Sequence, residues 1–191
     1  MRPSARTIRR SIAASAAACA AALGVTAALA GSATAASSQV APECKAAALQ
    51  VWIGLPADHA AGHAYYPMEF TNVSRSTCDL YGYPGVSAIH NNRQAGSAAV
   101  RDPAVPRRTV RLVPAATASA TLVITNVAVF SPASCHPVTA GELRIYPPDQ
   151  RQADFLEFSF PACAKAGSRY LAIQAIHPGV GIPDHPFLVG K

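Results

Sequence analysis

Asp58, His59 and His63 lie within six positions of one another. Two imidazoles and a carboxylate are a donor set that suits a divalent metal. The histidines share a face only on a helix, and Pro56 and Gly62 argue against one. Exposed loop histidines are therefore the favoured reading. Cys135-His136 has the donor types of a blue-copper site, which also needs a second histidine and an axial methionine. Met68, the only methionine after Met1, sits inside an apolar strand pattern, so neither metal nor cofactor is assigned. Gly85-Val86-Ser87-Ala88 lacks the second glycine of a nucleophile elbow, and no other motif ties a serine to a base. Ten scattered acids define no carboxylate pair for glycoside cleavage. No catalytic residue is predicted.

Aromatic residues offer more. Tyr65, Tyr81, Tyr83 and Tyr146 fall in or beside predicted turns, and exposed tyrosines on a rigid scaffold serve as binding anchors. These four are the candidate ligand contacts. Two of them flank the glycine of Cys78-Asp79-Leu80-Tyr81-Gly82-Tyr83-Pro84-Gly85-Val86-Ser87. Proline second and glycine third predict a type II turn over Tyr83-Pro84-Gly85-Val86, with positive φ at Gly85 and a strand beginning at Val86. The stretch has no G-x-x-x-x-G-K and no helix after it, so it is no phosphate cradle.

The elements that must hold these residues are short. Leu49–Ile53 alternates and reads as a strand. Residues 64–72 place Tyr66, Met68 and Phe70 on one face and Tyr65, Pro67 and Glu69 on the other, and Pro67 predicts an edge strand or a bulge. Val86–His90 precedes an Asn91-Asn92 turn. Thr109–Val113, Ala118–Asn126, Glu142–Tyr146, Phe155–Phe160 and Tyr170–Ile176 complete the set, and 44–50 has room for one helical turn. About eight strands with turn signals every ten to fifteen residues predict an all-β, antiparallel, immunoglobulin-like sandwich.

The N-terminus differs from the rest. MRPSARTIRR carries four arginines and no acid, and twenty uncharged residues follow. Residues 1–35 read as a secretory signal peptide cut after Ala35, with Ala30 the nearby alternative. An uncleaved anchor, a twin-arginine signal at Arg9-Arg10 and lipidation at Cys19 are weaker readings of the same segment. Without the signal, 16 − 4 = 12 basic residues face ten acids, a net +2 rather than +6. The basic balance thus belongs largely to export, and no nucleic-acid partner is expected. Arg107, Arg108 and Arg111 read as charge guarding a strand edge. No membrane span is expected after cleavage.

Four cysteines remain: Cys44, Cys78, Cys135 and Cys163. An even count in an exported chain implies two disulfides. Of three possible connectivities, the preferred one pairs neighbours, Cys44–Cys78 and Cys135–Cys163. Residues 36–43 form a short polar lead-in, 44–176 the sandwich domain, and 177–191 a Pro/Gly-rich tail expected to pack as irregular chain.

Cys44, Ala60-Ala61-Gly62-His63, Phe70-Thr71-Asn72, the 78–87 stretch, Cys135-His136-Pro137, Leu143-Arg144-Ile145-Tyr146-Pro147-Pro148 and Cys163 together define a pattern. Over roughly 44–176 the chain resembles the actinobacterial secreted family called domain of unknown function 4232. It departs from that pattern at Ala115-Ala116, where a proline-glycine turn is common, and in its longer tail. The resemblance implies an exported β-sandwich of Gram-positive, high-GC bacteria and carries no known activity, ligand or catalytic residue. The expectation is a secreted or extracellular, wall-associated, non-catalytic binding domain, with a cell-wall polymer or another envelope protein as partner. The competing expectation is a secreted hydrolase or metal-dependent enzyme whose site is assembled only by folding.

Overall fold

The structure is a computed structural model that describes residues 40–54 and 58–182. The chain divides into two units, Met1–Ser38 and Gln39–Lys191. The signal-peptide reading of 1–35, with Cys19, lies outside the described residues, as do 36–39 of the lead-in and 183–191 of the tail.

Thirteen strands run through the described residues: β1 (Leu49–Ile53), β2 (Asp58–Ala60), β3 (His63–Asn72), β4 (Cys78–Tyr81), β5 (Gly85–His90), β6 (Arg93–Ala95), β7 (Val100–Asp102), β8 (Thr109–Leu112), β9 (Thr117–Thr125), β10 (Pro137–Tyr146), β11 (Asp154–Cys163), β12 (Leu171–Gln174) and β13 (His177–Pro178). The larger sheet has the order β1-β3-β9-β12-β7, with β2 also on β3 and β13 also on β9. The smaller sheet is β11-β10-β5-β6, and β4-β8 form a separate ribbon. The strands pair antiparallel except β7 with β12, which is parallel.

Alternation explains the layers. Ala118, Ala120, Leu122 and Ile124 of β9 join Met68 and Phe70 of β3 in one apolar cluster with Val86, Leu143 and Ile145 of the smaller sheet. Tyr66 and Phe158 meet edge to face at 5.0 Å, joining β3 to β11. Each large side chain so buried contributes about 1.5–3 kcal/mol. Two disulfides, Cys44–Cys78 and Cys135–Cys163, staple the fold in the expected pairing. A 3-10 turn at Ala46–Ala48 occupies the place left for one helical turn.

Pro67 does not mark an edge. β3 is an inner strand, with β9 along one side and both β1 and β2 along the other. The carbonyl of Pro67 accepts Gly54 N–H at 2.8 Å, so its nitrogen faces that same side. β1 pairs with residues 68–72 and β2 with 63–65, which leaves Pro67 at the seam between them. No ladder donor is missed there.

The turn in the 78–87 stretch also sits earlier than expected. Gly82, not Gly85, takes the positive φ, at 98°, and its carbonyl accepts Ile176 N–H at 2.9 Å. Gly85 opens β5 opposite Tyr146, where a Cβ would stand 3.4 Å from the tyrosine Cβ. Pro84 fixes φ for the approach, but strand pairing with β10 claims the glycine behind it. Asn91 and Asn92 do form the predicted turn, with φ of 48° and 60°, between β5 and β6.

Both ends of the domain are more regular than expected. In the lead-in, Glu43 bridges to Asp79, and Asp79 N–H donates to Pro42 O at 2.8 Å. In the tail, His177-Pro178 add to β9 as β13, and Gly181 N–H donates to Glu69 Oε1 at 2.9 Å. Period-two patterning cannot flag a strand of two residues. Asn72 ties the ribbon to the larger sheet: fully buried, its amide donates to Leu112 O at 3.0 Å and Ser76 O at 2.8 Å.

Candidate functional site

The Asp58–His63 stretch, expected to be a loop with exposed histidines, is a hairpin. β2 pairs His59 with Ala64 and Ala60 with His63. Adjacent strand residues alternate faces, so His59 lies with Ala64 and Tyr66 while His63 lies with Tyr65. His63 instead shares a hydrogen bond with Thr125 Oγ1 at 3.1 Å. Asp58, His59 and His63 therefore do not converge. Among the described residues no three His, Cys, Asp or Glu groups cluster to hold a metal.

A serine does lie between an acid and a histidine. Register places Ser119 opposite Glu69 on one side and His177 on the other, all three buried. Nucleophilic catalysis needs the histidine between serine and acid, and here the order is acid, serine, histidine. Ser119 Oγ–H donates to Gly179 O at 2.7 Å and Glu69 Oε1 takes the Gly181 N–H. Burial lowers the His177 pKa, with the Arg108 charge acting in the same direction and the Pro178 carbonyl and Glu69 opposing. This row latches the tail; it does not activate a nucleophile.

The tyrosines point elsewhere. Arg101 stacks over Tyr83 at 5.7 Å, Arg107 over Tyr81 at 5.9 Å and Arg144 over Tyr146 at 5.8 Å. The first pair and Arg107 of the second line one cleft of about 460 Å³ with Pro103, Val105 and Pro106. Tyr81, at the end of β4, is 44% exposed. Tyr146 stands across from Gly85, two residues from Tyr83. Tyr65 does not join them: it lies on the outer face of the larger sheet, 6.3 Å from the His63 ring.

Each wall of the cleft is held. β4 is stapled through Cys78 to Cys44 and pairs with β8, so that Tyr81 lies opposite Thr109. Arg101 is pinned by β7 pairing with β12, opposite Ile173. Asp102 is occupied inward, accepting Ala104 N–H at 3.0 Å and Gln174 Nε2–H at 2.9 Å. Pro103 and Pro106 each fix φ in the connecting loop. Among the described residues the one ion pair is Arg111 with Asp79, at 3.0 Å. Arg101 and Arg107 are thus stacked and carry no carboxylate partner among the described residues. A guanidinium lying on a phenol ring is oriented yet keeps its N–H edges free for a planar anion.

Arg101 escaped the sequence reading, and Arg107 was read with Arg108 and Arg111 as edge charge. All three are exposed, on or just before a strand with one ladder partner, and two of them have partners besides: Asp79 takes Arg111, and Tyr81 takes Arg107. The signal available was arginines bracketing two prolines beside a tyrosine-rich turn, in Arg101-Asp102-Pro103-Ala104-Val105-Pro106-Arg107.

A family model described as Domain of unknown function (DUF4232) matches residues 44–176, from the first disulfide cysteine to two residues past β12. No curated protein matches the chain.

Proposed function

The chain belongs to the DUF4232 family, and from that premise we propose that it is an exported, non-catalytic domain of an actinobacterial cell envelope that binds an anionic wall polymer through the cleft lined by Tyr83, Arg101 and Arg107, with Tyr81 stacked on Arg107. The carrying observation is two arginines, each stacked on a tyrosine and without an acid partner among the described residues, opening on one cleft. Stacking removes side-chain freedom before the ligand arrives, so less entropy is lost on binding. The rings add a flat apolar surface for the uncharged parts of the polymer. Export is supported by the signal-like residues 1–35 and by two disulfides, which persist in oxidising compartments. Among the described residues no helix is long and apolar enough to cross a membrane. The test is co-sedimentation of purified, oxidised protein with isolated actinobacterial cell walls, against a reduced, heat-denatured control. Saturable pelleting by the folded protein alone supports the reading, and a folded protein that stays in the supernatant at every salt concentration rejects it.

A further inference from the structure

A second hollow, of about 430 Å³, opens at the other end of the sandwich. Strand register separates the two sites. Phe160 and Pro161, which line this hollow, pair with Ala140 and Thr139 at the start of β10, whereas Tyr146 ends that strand. One wall is the β2–β3 hairpin, built from Ala60, Ala61, Gly62 and Ala64. Ala61 and Gly62 both have positive φ, 48° and 80°, as a two-residue hairpin turn of this kind requires. Asn126 N–H donates to Gly62 O at 2.9 Å and ties the turn to the end of β9. The floor is apolar: Tyr66, Ile124, Val127 and Phe160.

Interiors close-pack unless something holds them open. Four small residues face an aromatic floor here, and the left-handed Ala61 occupies a position where asparagine or glycine costs less. No Asp, Glu, Lys or Arg lines the hollow, which disfavours an ion as occupant. The polar residues that line it are His59, whose exposed imidazole makes no hydrogen bond among the described residues, Asn126, and His63 and Thr125, which bond each other. The volume lies within the range of small-molecule sites, where an apolar lining supplies affinity and a few polar groups fix orientation.

We propose that this hollow binds a small uncharged ring compound, aromatic or alicyclic, with one hydroxyl or carbonyl group directed at His59. The ring packs on Tyr66 and Phe160, and its polar group bonds the His59 imidazole. This site is independent of the arginine–tyrosine cleft and stands if that reading fails.

The experiment titrates the oxidised full chain with 4-ethylphenol and cyclohexanol, with benzoate as the charged control, while amide shifts are followed by NMR. The expected result is saturable shifts confined to residues 59–66, 124–127 and the stretch around Phe160, with benzoate about tenfold weaker or worse. Ala64→Leu fills the hollow and is expected to weaken 4-ethylphenol at least tenfold, while Tyr83→Ala leaves it unchanged. Should Ala64→Leu fail to fold, NOEs from the probe to the Tyr66 and Phe160 rings decide the matter in the unaltered protein. Shifts that do not saturate, benzoate binding as well as the phenol, or NOEs to other rings would overturn the proposal.

Discussion

Tyr170 is almost fully buried, and its hydroxyl donates to the Ala95 carbonyl at 3.1 Å. Burial pushes its pKa up to about 12. Next to it Gly96 holds a φ of 67°, and a Cβ there would meet the Tyr170 ring at 2.7 Å. Tyr170→Phe leaves the Ala95 carbonyl without this donor and is expected to lower stability by about 1 kcal/mol in urea unfolding. Ala115 is the reverse case. It is exposed, has a φ of 65° and closes the turn into β9. Ala115→Gly is expected to raise stability by about 0.5–1 kcal/mol, the left-handed Cβ penalty set against the extra chain entropy of glycine. A lower melting temperature for that variant would contradict the backbone account. The departure at Ala115-Ala116 was visible in the sequence, but the sign of its effect needed the backbone angle.

At the scale of elements, long alternating segments were legible and short ones were not. β3, β9, β10 and β11 each run nine or ten residues, long enough for a period of two to declare itself. β2, β6, β7 and β13 have two or three residues and exist because a neighbour supplies the pairing. That is why Asp58–His63 read as a loop and 177 onward as irregular tail. The β13 latch makes a prediction about pH. Burial lowers the His177 pKa below the usual 6.5, so the native state takes up this proton less readily than the unfolded chain does. The contribution of His177 is therefore present above about pH 6.5 and lost as pH falls. Melting curves at pH 7.5 and 5.0 should show a loss on acidification that is smaller in His177→Gln. An equal loss in both proteins would place the acid sensitivity elsewhere.

At the scale of the molecule, two sheets around one core and two staples were readable from alternation and cysteine count. In the chain-entropy model, loops of 34 and 28 residues are each worth about 3.5–4 kcal/mol. Replacing Cys135 and Cys163 together by alanine should lower the unfolding free energy measured in urea by nearly that amount, and a change under about 1 kcal/mol would show that native strain cancels the constraint. The candidate site was only half legible. Tyr81 and Tyr83 stand out in sequence, but their arginines arrive from β7 and from the approach to β8, brought near by pairing with β12 and β4. Nothing local distinguishes a stacked arginine from one consumed by a carboxylate, as Arg111 is. The most direct test of the central claim compares wall co-sedimentation of the parent protein and of Arg101→Gln/Arg107→Gln across a salt series. Our account predicts that the parent pellets saturably and is released by salt, while the double variant folds normally and binds at least tenfold more weakly with a shallower salt dependence. Equal, salt-insensitive pelleting of the two proteins would contradict it.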